Sequence, residues 1–260
     1  MAEVEWVNLK AYELRELAAR DAIVIVPVGS TEQHGPHLPV QVDALLAGEV
    51  SRRAARRTYD TEPVVVMPPV WTGLAEHHMS LGGTITLDYA TFAALLGDIC
   101  HSIARHGFGR ILILNGHGGN ITALNVLTGE LAHQVDAIVA MACYWTLDAA
   151  ANAFAEILEV QSNVRHAGEA ETSMLLALRP DLVDMDAAAE IEPPLEGLSA
   201  RGGAYRWRPI AHWTETGAIG APAAATAEKG ERLLDAAAQA VADTILDEAL
   251  WADHNIPGDG

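Results

Sequence analysis

Four short stretches of this chain place metal-binding and proton-transferring side chains beside glycines. The first is Val28-Gly29-Ser30-Thr31-Glu32-Gln33-His34-Gly35-Pro36-His37, with Asp43 a few residues on, ahead of a helical pattern. The second is an apolar run, Ile111-Leu112-Ile113-Leu114, that passes directly into Asn115-Gly116-His117-Gly118-Gly119-Asn120. The third, His166-Ala167-Gly168-Glu169-Ala170-Glu171-Thr172-Ser173, opens a helix. The fourth, Glu76-His77-His78, precedes Gly82-Gly83-Thr84 in a loop expected to follow a strand. Neutral imidazole and carboxylate are ligands for zinc and other transition metals, and hydrolytic sites built from them keep one position open for water.

Each group also has a plainer reading. Asp43 could cap a helix and Glu32 could be solvated, but the crowding of Glu32, His34 and Asp43 at the end of one strand favours ligands. The turn around His117 could bind an anion, although it lacks the Lys-Ser/Thr of a P-loop and the full dinucleotide fingerprint. Glu169 suits the positive end of its helix, which leaves Glu171 as the better ligand candidate. His77 and His78 read either as surface histidines or as a supporting layer or substrate contact. His166, with an unperturbed pKa of about 6.5, is the candidate general acid/base, against a cap or core hydrogen bond. Backbone N–H groups of residues 116–119 are candidates for stabilising an oxyanion. The chemistry these groups imply together is hydrolysis by metal-activated water, whose pKa a bound ion lowers to about 7.

Positioning such groups requires strands that end together. Residues 22–28, 64–67, 111–114 and 137–142 read as buried strands, and 44–59, 89–106 and 121–134 as the helices that connect them. Repeated β-α order predicts a mostly parallel sheet with helices on both faces. Residues 169–178 and 225–249 read as further helices. Residues 192–220, with Arg201, Arg206, Trp207, Arg208, His212 and Trp213, read as a long irregular segment that either reaches a site, in this chain or a neighbouring subunit, or forms a plain surface loop.

With 260 residues, half of them hydrophobic, the chain is expected to fold as a single domain over 1–260. A formal charge of −19 disfavours nucleic acid and anionic membrane surfaces as partners. Cys100 and Cys143 lie far apart in apolar stretches and read as buried free thiols. The acidic N-terminus lacks the pattern of a signal peptide, and no run is long enough to span a membrane, so a cytoplasmic protein is expected.

Taken together, residues 29–34 with Asp43, 115–120 and 166–173 resemble the creatininase (creatinine amidohydrolase) family of metal-dependent amidohydrolases, in the branch that carries Asn-Gly-His-Gly-Gly-Asn. The likeness runs from about Glu5 to Lys229. It implies a three-layer α/β/α fold, two divalent metal ions (zinc, or else manganese or iron), hydrolysis of C–N bonds in small amides or cyclic amides, and a homo-oligomer, often a hexamer. Carried over by position, Glu32 and His117 hold one metal, His34 the other, and Asp43 bridges them. Creatininase supplies a further glutamate two residues after the histidine of the glycine-rich turn, with a tyrosine between, where this chain has Gly118 and Gly119. Glu171 is the natural replacement.

His166 and Glu171 are the catalytic candidates; Trp145 matches an aromatic position of the family, and it is expected to face the substrate with His78, Gly118 and Gly119. Creatininase has a tryptophan four residues before the histidine matching His166, where this chain has Ser162, so creatinine itself is a poor expectation. Deformylases of pyrimidine intermediates and the peptidase of mycofactocin maturation are similar members of the same branch. A non-catalytic, metal-stabilised binding protein is the rival from another class, and retention of Glu32, His34, Asp43 and His117 weighs against it.

Overall fold

The computed structural model describes residues 2–192 and 206–252. Four parallel strands, β1 (Ile23–Val28), β2 (Val64–Val66), β3 (Arg110–Asn115) and β4 (Ile138–Cys143), form one sheet in the order β2-β1-β3-β4. Val28 pairs with Asn115 and Asn115 with Cys143, so three strands end level with one another. β-branched and leucine side chains make these runs suited to a sheet covered on both faces. Alternation along the strands divides them. Ile23, Ile25, Leu112, Leu114, Ala140 and Ala142 pack in one core with α2 (Val42–Thr58), α5 (Asp148–Ile157), α6 (Glu169–Leu178) and α8 (Ala227–Leu246). Val24, Val26, Ile111, Ile113 and Val139 pack in the other with α1 (Ala11–Ala19), α3 (Tyr89–Arg105) and α4 (Ile121–Leu131). The result is the expected three-layer α/β/α arrangement. Two short helices, α7 (Met185–Ala189) and α9 (Glu248–Trp251), complete the described elements.

α2 leaves the end of β1 toward one face and α4 leaves the end of β3 toward the other, which opens a crevice between these two neighbouring strands. This is the switch point at which open α/β sheets bind ligands.

Some boundaries differ from those expected. α2 begins at Val42 rather than 44, because Gln41 at its N-cap offers no side-chain hydrogen bond and so no cap signal. Asp43 therefore lies inside the first helical turn, not ahead of it. α4 ends at Leu131, three residues before 134. α8 starts after Thr226, whose side chain accepts from Lys229 N, and ends at Leu246. α1 and α5 were absent from the sequence reading. Of the segment 192–220, Arg201 lies outside the described residues. Among residues 206–220, a single 3-10 turn, Ile210–His212, interrupts irregular chain. No described helix is long and apolar enough to cross a membrane.

Candidate metal centre

The loop after β1 turns back on itself: Gly29 N donates to Val70 O at 2.9 Å and Glu32 N to Val40 O at 3.0 Å. This folds Glu32 and His34 inward, and both are buried. His34 donates its Nδ1–H to Glu32 O at 3.0 Å. A carbonyl oxygen only accepts, so this bond fixes the ring and leaves Nε2 as the inward nitrogen. Nε2 lies 3.2 Å from Asp43 Oδ1 and 3.8 Å from Glu171 Oε2.

At the end of β3, the two asparagines that flank the motif, to which the sequence alone assigns no role, tie the turn together. Asn115 Nδ2 donates to His117 O at 2.7 Å and Asn115 Oδ1 accepts from His117 N at 3.1 Å. Asn120 Nδ2 donates to Gly29 O at 3.1 Å and Asn120 Oδ1 accepts from Leu74 N at 2.9 Å. Leu74 O in turn accepts from His117 Nε2 at 3.2 Å, which turns Nδ1 toward Glu32 Oε2 at 3.0 Å and Asp43 Oδ2 at 3.1 Å. Each oxygen of Asp43 thus faces a different histidine. Gly116 N donates to Val28 O and His117 N to Asn115, so of the run 116–119 only the N–H groups of Gly118 and Gly119 remain as oxyanion candidates.

Before α6 the chain makes a tight turn in which Ala167 takes a left-handed conformation, φ 51°, uncommon for a residue with a side chain. Its N–H donates to Glu171 Oε2 at 2.6 Å, so the turn and the carboxylate hold each other in place. His166 donates Nε2–H to Gln33 O at 2.7 Å and presents Nδ1 to Glu32 Oε1 at 3.2 Å. Glu169 is directed elsewhere: it accepts from the backbone of Glu159 and Val160 and pairs with Lys229 Nζ at 2.8 Å. It lies in the first turn of α6, as expected for a carboxylate at a helix N-terminus, and forms a buried ion pair as well.

Opposing fields shape the protonation of these groups. Burial works against charge on Glu32, yet His117 and His166 hold its carboxyl well below the ordinary range. Burial also opposes charge on His34, but Asp43 and then Glu171 push its pKa up to about 10. Burial raises Glu171, against the pull of His34 and His166. Burial, helped by His117, brings His77 down to about 4, and burial brings His78 down to about 2 although Glu32 pulls the other way.

The donors fit a divalent cation centre. Glu32 Oε1 and Oε2, His34 Nε2 and Asp43 Oδ2 are buried without a hydrogen-bond partner among the described residues, although they face one another. Lone pairs so arranged would be costly to bury unless a cation joins them. Three overlapping donor sets lie close enough to hold an ion: Glu32, His77 and His117; Glu32, His34 and His166; His34, Asp43 and Glu171.

All of these donors except the fully buried His34 line a cavity of about 230 Å³, together with His78, Gly118, Gly119, Trp145, Val164 and Ile210. All the residues that the sequence reading made substrate-facing are on its wall. Ile210, from the segment expected to reach a site or lie on the surface, borders the cavity of its own chain. His77, read as a surface histidine, a supporting residue or a substrate contact, is among the lining residues; its one sequence signal was its place in the pair His77-His78.

Beyond its own residues, the chain matches the family model described as creatinine amidohydrolase over residues 7–245. It is 33% identical to the creatinine amidohydrolase of Pseudomonas putida over 95% of this chain and 96% of that one. It is also 33% identical to the mycofactocin precursor peptide peptidase of Mycolicibacterium smegmatis, over 89% of this chain and 87% of that one. A solved creatininase structure named for manganese superposes with a TM-score of 0.79 at 29% identity, over 95% of this chain and 99% of that one. The family model, the sequence likeness over nearly the whole chain and the superposition agree, and the chain belongs to the creatininase (creatinine amidohydrolase) family.

Proposed function

We propose that this protein is a metal-dependent amidohydrolase that cleaves a C–N bond in a small amide or cyclic amide. The observation that carries the reading is Asp43, whose two oxygens face two histidines, each held by a carbonyl so that its free nitrogen points inward. Glu32 and His117 would hold one ion, His34 and Glu171 the other, with Asp43 shared. Solved creatininase structures named for manganese and for a zinc pair support such a centre. Bound ions there would supply a water of pKa about 7 and polarisation of the amide carbonyl.

The chain's own groups do the rest. His166 Nδ1, anchored from behind by Gln33 O, takes up a proton beside Glu32 and returns it to the leaving nitrogen. Gly118 and Gly119 offer backbone N–H groups to the oxyanion, and Trp145 supplies a flat apolar wall for a planar amide. A peptide is the substrate named for the mycofactocin relatives, so the test panel includes one. The family resemblance implies a homo-oligomer, often a hexamer, and light scattering measures this directly.

The test combines metal content by plasma emission with a panel of small amides, a cyclic amide and a peptide, scored for release of ammonia, formate or amine. Wild type should hold about one to two equivalents of zinc, manganese or iron and cleave only when loaded. His117→Ala and Glu171→Gln should lose metal, whereas His166→Gln should keep it and lose about 10²–10⁴ in kcat. A purified, metal-supplemented wild type that binds no divalent ion would overturn the reading and leave a binding protein in its place.

A further inference from the structure

The family's ligand pattern uses Glu32, His34, Asp43, His117 and a glutamate. It says nothing of His77. We propose that His77 is a protein ligand of this centre, sharing with Glu32 and His117 the ion on the β3 side; the assignment rests on the two-ion reading above.

Three observations carry it. One ligand atom from each of Glu32, His77 and His117 lies within 4.8 Å of the others, a spacing at which a single ion touches all three. The rings of His77 and His117 lie nearly parallel, at 15° with centroids 5.6 Å apart, so two imidazoles stand side by side at the same wall of the cavity. Finally, Gly119 makes room for this pair. A Cβ there would lie 2.8 Å from His77 Cε1 and 2.5 Å from Leu74 O, and would also collide with His117 Nε2. The position where creatininase carries a glutamate is therefore closed to any side chain here, and the His77 ring is one of the groups that close it. The His77 ring thus occupies space that a side chain at 119 would need, while Glu171 supplies the carboxylate of the other ion.

A chemical consequence follows. With His77, the β3-side ion has two imidazoles, Glu32 and its share of Asp43, whereas the other has His34, Glu171 and its share of Asp43. Imidazole favours zinc and neighbouring transition metals and carboxylate favours harder ions, so the two positions should differ in affinity and in metal preference.

The test uses whole protein stripped with chelator, titrated with Zn²⁺ against a chromophoric competitor, and separately loaded with Co²⁺ for its visible spectrum. Wild type should show two affinities. His77→Ala should weaken the tighter one by at least about tenfold and alter the Co²⁺ bands, while His77→Asp, which keeps a donor, should recover much of that affinity. Near-ultraviolet dichroism of each variant checks folding. If His77→Ala is folded and matches wild type in zinc affinity and Co²⁺ spectrum, with only KM changed, His77 contacts substrate and the proposal is overturned. If wild type itself takes up no zinc or cobalt, the parent reading has failed, an outcome distinct from a defect confined to His77→Ala.

Discussion

Replacing Gly29 by alanine should disable the metal centre without replacing any proposed ligand. Gly29 lies where the end of β1 meets the first turn of α2, backbone against backbone. A Cβ at this position would lie 2.5 Å from Ala44 Cα and 2.8 Å from the carbonyl carbon of Asp43. Unstrained carbon contacts are about 3.5 Å, so the two segments must separate by about 1 Å. No side chain can rotate to relieve the clash. β1 is held on both sides by β2 and β3, whereas the first turn of α2 has no side-chain cap to anchor it, so the helix end yields. Asp43 travels with it, away from His34 Nε2 at 3.2 Å and His117 Nδ1 at 3.1 Å.

Metal–ligand distances tolerate only about 0.2 Å, so a shift of this size should lower affinity about 10–100-fold. Overpacking should also lower stability by about 1–3 kcal/mol, or about 2–12 °C in Tm for a chain of this size. Zinc competition titrations and thermal melts of the chelated protein separate the two effects. A folded Gly29→Ala with wild-type zinc affinity would refute the reasoning even if its Tm were lower, because the strand rather than the helix would then have moved.

Two further predictions concern groups outside the centre. Lys229→Met strands the buried Glu169 carboxylate, which now has Lys229 Nζ at 2.8 Å, and should lower stability by about 3–5 kcal/mol in urea at pH 7, most of it regained in Glu169→Gln/Lys229→Met; a loss under about 1 kcal/mol would show the pair to be inert. Despite burial, Lys229 holds the Glu169 pKa below 4.5, so the pair's contribution is full at neutral pH and should fade on the acid side, as pH falls through that lowered value. Burial pushes Cys100 up to about 12 and raises Cys143, so a thiol reagent at pH 8 should label neither in the native protein and both after unfolding; rapid native labelling would contradict the packing.

The parts of this site that were legible in the sequence are those set by local pattern. The run Ile23–Val28 and the run ending in Asn115 are strands by composition, and in a parallel sheet whatever follows a strand lies at one edge, so Glu32, His34 and His117 could be placed together before any coordinates. Glu171 was preferred to Glu169 because Glu169 suits the helix end, but its part in completing a second metal site came only through family likeness. The start of α2 was misread for a physical reason: Gln41 gives no capping bond, so the helix begins without its usual mark and Asp43 looks like part of the loop. Asn120 was invisible because it works across the fold, bonding Gly29 O. α5 was missed because it is short and Ala-rich, with only Ala150 and Phe154 buried, so few large apolar side chains mark its packed face. His77 was underrated because two adjacent histidines in a loop have no periodicity to interpret, and its place depends on Gly119 far along the chain.

The anchors behind the inward-facing histidines explain why site and fold stand together. His34 leans on Glu32 O and His166 on Gln33 O, both from the loop after β1, while His117 leans on Leu74 O from the loop after β2. Leu74 is itself held by Asn120, from the turn after β3, and Asn120 also grips Gly29. Each ring is thus oriented by a carbonyl on a segment whose own path depends on a neighbouring strand end. The free nitrogens converge only while β1, β3 and the loop after β2 keep their register. Movement of one loop would misdirect several donors at once, so removing Asn120 should weaken metal binding although the residue touches no proposed ligand except through Leu74 and Asn115.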